Sequence, residues 1–366
     1  MIERLPMLER FWRRIINRKG VSWLALPGLV LWLISLGYRL GLYFKTKTAA
    51  PPEKLPLPVL SIGNISVGGS GKTPMTGFIA RSLLAEGVRV GIVSSAYGRE
   101  ATTSFVEPGY RVQKMPVSET GDEVMILAHD LPSAVFSVDV VKLHAARRLV
   151  ESGEVDIIIV DDGFQHWPLH ADVHLLTYDA GVKKRTLRLF PNGILREPLS
   201  AIRRAHIVVI TRANFAKDIQ RLRNKLEKIH PDADYYHANF YATQITKGDQ
   251  QLAVKYLEDK SVFLFAGVGN FRALRKQVTA LAGDIEGYIE LADHQRYNRE
   301  LLERIKIEVT WQDPDIIVTT AKDFVKIGDF DFGRELCYLD LAIDLDPGEE
   351  KLVHDLMTRF NLGDET

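Results

Sequence analysis

The sequence is poor in cysteine: Cys337 is the single one among 366 residues. That excludes an internal disulfide framework and any zinc or iron–sulfur centre built on cysteine, and it fits a reducing compartment. An excess of either charge is missing too. Lys and Arg number 47 and Asp and Glu 47, so the formal net charge is zero. The basic surplus that usually marks a nucleic-acid-binding domain is therefore absent. The 46% hydrophobic and 26% charged fractions are those of a globular chain and exclude general disorder. A length of 366 residues predicts two or three domains.

Long apolar runs are scarce, and residues 21–38 are the exception, 18 positions without a charge. As a helix at 1.5 Å per residue that run would be about 27 Å long, marginal against a ~30 Å hydrocarbon core. Arg10, Arg13, Arg14, Arg18 and Lys19 precede it, and Arg39, Lys45 and Lys47 follow. Positive charge on both flanks gives no orientation. Pro27-Gly28 inside the run predicts a bent or two-piece helix. The run starts too late, and lacks the small-residue cleavage site, for a signal peptide. Trp12, Trp23 and Trp32 among basic residues predict a helix resting on an anionic leaflet; a single span and a buried core helix are the alternatives.

After a Pro-rich connector, residues 49–58, short apolar runs alternate with helical patterns. Val59–Ile62, Val88–Val93, Ala134–Val138, Val155–Val160, Val173–Thr177 and Ile207–Ile210 read as buried strands. Met75–Ala85 and Val141–Val150 read as amphipathic helices between them. This alternation predicts βαβ units and a mostly parallel sheet. A charged helix over Lys217–His230 and an extended stretch over Tyr235–Ile245 follow, and Val262–Ala266 and Ile316–Thr319 open a second, smaller α/β pattern. The expected division is residues 1–50 as a membrane-associated helical segment, 51–240 as the core and 241–366 as the smaller domain.

The most informative segment is Gly63-Asn64-Ile65-Ser66-Val67-Gly68-Gly69-Ser70-Gly71-Lys72-Thr73-Pro74. A buried strand enters a glycine-rich turn and then a helix with Pro74 near its start. Glycines let successive N–H groups converge on an anion, and the helix amino terminus adds partial positive charge. Residues Ser66 to Thr73 are thus candidates for binding the phosphates of ATP. Lys72 is expected to reach the β- and γ-phosphates, and the Thr73 hydroxyl to ligate Mg²⁺. The strict pattern asks for glycine where this chain has Ser66. Downstream, Ile157-Ile158-Ile159-Val160 ends in Asp161-Asp162, two carboxylates at the end of a buried strand, where ligands of α/β sheets bind. Either can hold Mg²⁺ or cap the next turn. His166, His170 and His174 recur at spacing four, but Pro168 and the following strand keep them off one helix face.

These blocks together resemble the tetraacyldisaccharide 4′-kinase family, the lipid A 4′-kinases of Gram-negative bacteria. The resemblance rests on the glycine-rich block, on Gly121-Asp122-Glu123 and on Asp161-Asp162-Gly163-Phe164-Gln165-His166. It continues through Leu195-Arg196-Glu197-Pro198-Leu199, Gly267-Val268-Gly269-Asn270, Asp293-His294 and Thr319-Thr320-Ala321-Lys322-Asp323. Ser66 suits this family, which usually carries Ser or Thr there. Ser95 and Ala96 depart from the family's usual arginine and glycine, Val124 from a proline, and Gln295 from a second histidine.

The resemblance implies a P-loop NTPase-like fold and ATP-dependent transfer of a phosphoryl group to the 4′-hydroxyl of a tetraacylated glucosamine disaccharide 1-phosphate. It implies Asp122 as the general base, His294 of the second domain as its partner, closure of that domain over the nucleotide, and Gln165 beside Asp161 and Asp162 as an organiser of metal or water. It also implies a peripheral or single-helix-anchored protein on the cytoplasmic face of the inner membrane, with the membrane surface and the lipid as partners. No nucleic acid and no obligate protein partner are expected. The competing readings are a membrane-associated P-loop switch and an inactive lipid-binding relative. A GTPase switch normally shows Asn-Lys-x-Asp after a late strand, which neither Thr211-Arg212-Ala213-Asn214 nor Thr320-Ala321-Lys322-Asp323 supplies.

Overall fold

The structure, a computed structural model, describes residues 7–18, 25–95, 99, 101–248, 250–293 and 295–362. The chain parts into two compact units, one of residues 11–239 with 343–366, the other of residues 240–342 with 1–10. The late segment from 343 onward, expected with the second α/β pattern, belongs to the first unit. The reason is side-chain chemistry that spacing does not reveal. Glu349, at the start of helix Glu349–Phe360, accepts from Ser82 Oγ at 2.6 Å, and Asp355 accepts from Tyr236 at 2.6 Å.

In the first unit the strands are β1 (Val59–Gly63), β2 (Val90–Ser94), β3 (Phe105–Pro108), β4 (Val135–Val138), β5 (Ile157–Asp161), β6 (Val173–Asp179), β7 (Ile207–Thr211) and β8 (Asp234–Lys247). Their order is β8-β7-β6-β1-β5-β2-β4-β3, parallel throughout except that β3 runs antiparallel to β4. β1, β2, β5 and β7 are buried at every position, as expected of strands rich in Val and Ile when both faces are covered. Helix Lys72–Ala85 returns the chain across the sheet and buries Met75, Phe78, Ile79 and Leu83. Ile62 pairs with Asp161, so β1 and β5 end together and their following loops share one edge.

The chain leaves the first unit within β8 and returns within β13. The second unit holds β9 (Gln250–Ala253), antiparallel to β8, and the parallel set β10 (Ser261–Ala266), β11 (Asp284–Glu290), β12 (Ile316–Thr320) and β13 (Glu335–Asp346) in the order β11-β10-β12-β13. Cys337 of β13 is fully buried, and burial pushes its thiol up to about 12, so it serves as core.

Near the amino terminus one helix spans Ala25–Thr48 without interruption. The two-piece helix expected from Pro27 is not seen within Ala25–Thr48, because Pro27 falls in the first turn, where no intrahelical N–H bond is lost. The helix is long and apolar enough to cross a membrane, and Leu29, Trp32, Leu33, Leu40 and Phe44 are exposed on it. A contiguous apolar surface of this kind marks an interaction site rather than a core element.

Candidate active site

The turn between β1 and helix Lys72–Ala85 is built in two parts. Its first part is spent on the protein. Ser66 bridges Leu195 in antiparallel fashion, Arg196 N donates to Ile65 O at 2.8 Å, and Val67 N donates to Ile194 O at 2.7 Å. The Val67 amide, expected among the phosphate-facing groups, is therefore committed elsewhere. The second part is free to form the anion cradle. Gly68 and Gly71 have φ of +94° and +82°, a region open to glycine and strained for other residues. Gly71 is the N-cap of the helix and no side chain caps it, so the first-turn N–H groups are left for a ligand.

The cradle is braced from beneath. Asn64 Nδ2 donates to Ser70 Oγ at 2.7 Å, Ser70 Oγ meets Thr177 Oγ1 at 2.8 Å, and Thr211 Oγ1 donates to Ser70 O at 2.7 Å. Arg212 donates to Gly69 O at 2.5 Å. The Ser70 side chain is thus a strut, and any contribution of Ser70 to a ligand comes from its backbone. Gln165 Nε2 braces the same turn, donating to Asn64 O at 2.7 Å and to Glu197 Oε1 at 2.9 Å, while Arg204 grips Glu197 at 2.6 and 2.8 Å.

The paired carboxylates have different surroundings. Asp161 Oδ1 accepts from Thr76 Oγ1 at 3.0 Å, and burial, then the nearby charge of Glu123, raise its pKa. Asp162, with φ +48°, faces Lys72 Nζ at 3.5 Å and Arg196 Nη1 at 3.0 Å. Burial alone would raise its pKa, but Lys72, Arg196 and Lys142 hold it below the usual range, so Asp162 is the more readily ionised of the pair. The buried Lys142 ammonium donates to the carbonyls of both residues, at 2.6 and 2.7 Å, and fixes this strand end; burial lowers its pKa.

Asp122 begins helix Asp122–Asp130 after Gly121, which has φ +82°, and is buried. Its Oδ1 accepts from Glu123 N at 3.0 Å. Because Glu123 acts on Asp161 electrostatically, the Gly121-Asp122-Glu123 turn lies by the acidic strand end. His294 lies outside the described residues. Its neighbour Asp293 accepts from Lys322 at 2.9 Å within the second unit. The cradle and the paired carboxylates thus share one sheet edge, and Glu123, next to Asp122, is near enough to Asp161 to raise its pKa.

Sequence reasoning gave no role to Lys142, Arg196, Glu197 or Arg204. Arg196 and Glu197 stood in a block used only for resemblance. Lys142 could have been singled out as a lone lysine at the head of a helix following Asp139, a position that favours acids.

A parallel sheet whose strand runs through an uncapped glycine turn into Lys72-Thr73, beside an ionised carboxylate on the adjoining strand end, defines a P-loop nucleotide-binding protein. Comparison with known proteins narrows this. The family model for tetraacyldisaccharide-1-P 4′-kinase, LpxK, matches residues 27–361, and the chain belongs to that family. The tetraacyldisaccharide 4′-kinase of Geobacter sulfurreducens is 34% identical over 309 residues, covering 83% of this chain and 82% of that protein. The enzyme of the same name from Bdellovibrio bacteriovorus is 29% identical over 309 residues, covering 84% and 90%. The crystal structure of LpxK from Aquifex aeolicus in complex with ATP superimposes with a TM-score of 0.71 at 27% identity, covering 91% of this chain and 99% of that one.

Proposed function

We propose that this tetraacyldisaccharide 4′-kinase moves the γ-phosphoryl group of ATP to the 4′-hydroxyl of a tetraacylated glucosamine disaccharide 1-phosphate on the cradle between β1 and helix Lys72–Ala85. The observation that carries the reading is the uncapped helix start at Gly71 with Lys72 and the ionised Asp162 in front of it. Phosphoryl transfer needs mainly positioning and charge neutralisation, which N–H groups of residues 68–73 and the Lys72 ammonium supply. When ATP arrives, Lys72 exchanges Asp162 for phosphate oxygens, and Arg196 keeps Asp162 in place and charged.

The residues fit Mg²⁺. Among the described residues no group of three or more His, Cys, Asp or Glu is placed to hold a metal ion, but Mg²⁺ asks for only one or two protein oxygens beside phosphates and water. Thr73 Oγ1 and the Asp162 carboxylate are the hard oxygens that would hold it. Bound there, the ion would neutralise charge on the β- and γ-phosphates. Asp161, bonded to Thr76, and Gln165, bonded to Asn64 O, support this set from behind.

Asp122 accepts the proton of the attacking hydroxyl, and His294 tunes Asp122, both by family resemblance. The exposed apolar helix Ala25–Thr48 supports a lipid-facing role. Use of ATP as donor supports a place on the cytoplasmic face of the inner membrane, with the helix peripheral or spanning. The test is transfer of radiolabelled γ-phosphate from ATP to the tetraacyl disaccharide in micelles, with Mg²⁺ and with a chelator. Labelled lipid that needs Mg²⁺ is expected. ATP consumption without labelled lipid would overturn the assignment.

A further inference from the structure

Thr211-Arg212-Ala213-Asn214 does not supply a guanine-reading motif, yet its first two residues both bond to the phosphate cradle. Arg212 takes a left-handed backbone, φ +53° and ψ 38°. A residue with a Cβ keeps that conformation only where its surroundings fix it, and such places gather at functional sites. Here a carboxylate fixes it. Arg212 Nε donates to Asp179 Oδ1 at 3.0 Å and Nη2 lies 2.5 Å from Oδ2, a two-pronged pair whose side chains are only 15% and 12% exposed. Asp179 ends β6 in register with Thr211 at the end of β7, and its Oδ1 also accepts from Gly181 N at 2.9 Å. The planar guanidinium is therefore held in one orientation, and from it Nη2 donates to Gly69 O at 2.5 Å.

The consequence lies in the peptide planes. In a trans peptide the C=O and the N–H that follows it point in opposite directions. Arg212 draws Gly69 O toward the end of β7, and Thr211 Oγ1 draws Ser70 O the same way at 2.7 Å. The N–H groups of Ser70 and Gly71 must then face away from β7. Two successive amides turned to one side are what a backbone anion site consists of. Gly68 and Gly71, with φ of +94° and +82°, permit this path without imposing it, because glycine is at ease in many others. The choice among them is made from β7.

We propose that Arg212, oriented by Asp179, is a positioning residue for phosphate binding, acting through the Gly69 carbonyl to aim the Ser70 and Gly71 amides at the phosphates of ATP. This deepens the function proposed above and rests on it for the identity of the ligand. Asp179 acts only through Arg212, so the two form one device.

The test measures ATP affinity by calorimetry with Mg²⁺, KM for the tetraacyl disaccharide 1-phosphate in micelles, and the unfolding midpoint, all on the full chain. Arg212→Gly alone would leave the Asp179 carboxylate buried without its cation, a cost to stability that the double variant Arg212→Gly/Asp179→Asn avoids. Glycine also relieves the left-handed backbone, so the double variant keeps the fold. Its ATP affinity should fall by about tenfold or more, the range for losing a charge-assisted hydrogen bond, with KM for the acceptor within about twofold of the parent. Arg212→Lys should lose less, because an ammonium can reach Asp179 or Gly69 O but lacks the fork that fixes both. Asp179→Asn should also lose less, since its oxygen still accepts from Arg212 Nε. A folded double variant that binds ATP within about twofold of the parent overturns the proposal. So does an equal loss for ATP and acceptor, which is what a loosened unit would give. Lys72→Ala is the control: full turnover in that variant would overturn the proposed function instead, while the affinities of the Arg212 variants would still report on the turn.

Discussion

The glycine-rich turn after β1 and the Gly267-Val268-Gly269-Asn270 turn after β10 both follow a buried parallel strand and both lead into a helix. After β1, Gly68 and Gly71 take left-handed dihedrals and the helix start is uncapped. After β10, the corresponding groups are satisfied by the protein itself. Gly267 N donates to Asp323 Oδ2 at 3.0 Å, and a Cβ on Gly267 would lie 2.6 Å from Ala292 O. Asn270 caps helix Phe271–Thr279 by accepting from Ala273 N at 3.2 Å, and Thr320 caps helix Ala321–Ile327 by accepting from Asp323 N at 3.3 Å. The second turn already contains its anion, the Asp323 carboxylate. Glycine after a strand makes amides approachable, but only amides without an internal partner can bind a phosphate.

The largest effect expected from this contrast is at Lys72. Lys72→Ala should lower turnover by roughly 10³-fold or more with unchanged circular dichroism, because it removes charge from the phosphates and nothing from the core. Near-normal turnover in a folded variant would erase the distinction between the two turns. Asp323→Ala should do the opposite. Removing a fully buried carboxylate that serves Gly267 N, Thr320 and Lys326 should cost about 3–5 kcal/mol in denaturant unfolding, while the molecules still folded keep their ATP affinity.

Asp122→Asn comes next, with kcat down by at least ~10² and ATP affinity unchanged. His294→Ala should act on the same step, so the double variant should be little worse than the poorer single one in single-turnover kinetics. Losses that multiply would mean the two residues do not act as a unit. If Asp122 only caps its helix through Glu123 N, melting temperature will fall and turnover per folded molecule will not. The smallest effect is expected for Asn270→Ala, about 1 kcal/mol of stability with no change in ATP binding, the ordinary cost of an N-cap.

What the sequence made legible was local. β5 and β7 announce themselves as β-branched runs, and the cradle as glycines before Lys-Thr, because each depends on neighbours within a few residues. Pro27 was misleading because its effect depends on where the helix begins. The Val67 amide was out of reach for another reason: its partner, Ile194, is set by a pairing 127 positions away that no local pattern encodes. The same holds for Arg196 on Asp162 and for helix Glu349–Phe360, whose place is set by Ser82 and Tyr236. β8 reads as a connection in sequence because the exposed stretch within it breaks the hydrophobic run.

Arg196 has a second consequence, which concerns how far a substrate must travel. Its guanidinium holds Asp162, and its carbonyl accepts from Tyr38 of the apolar helix at 2.8 Å. One residue therefore covers the whole interval between the apolar helix and the acidic strand end. An acylated sugar whose chains stay against that helix has its ring within an arginine's reach of the phosphate-transfer edge. On the function proposed above, such a lipid would reach the site by a tilt of its headgroup, with no need to be carried around the protein.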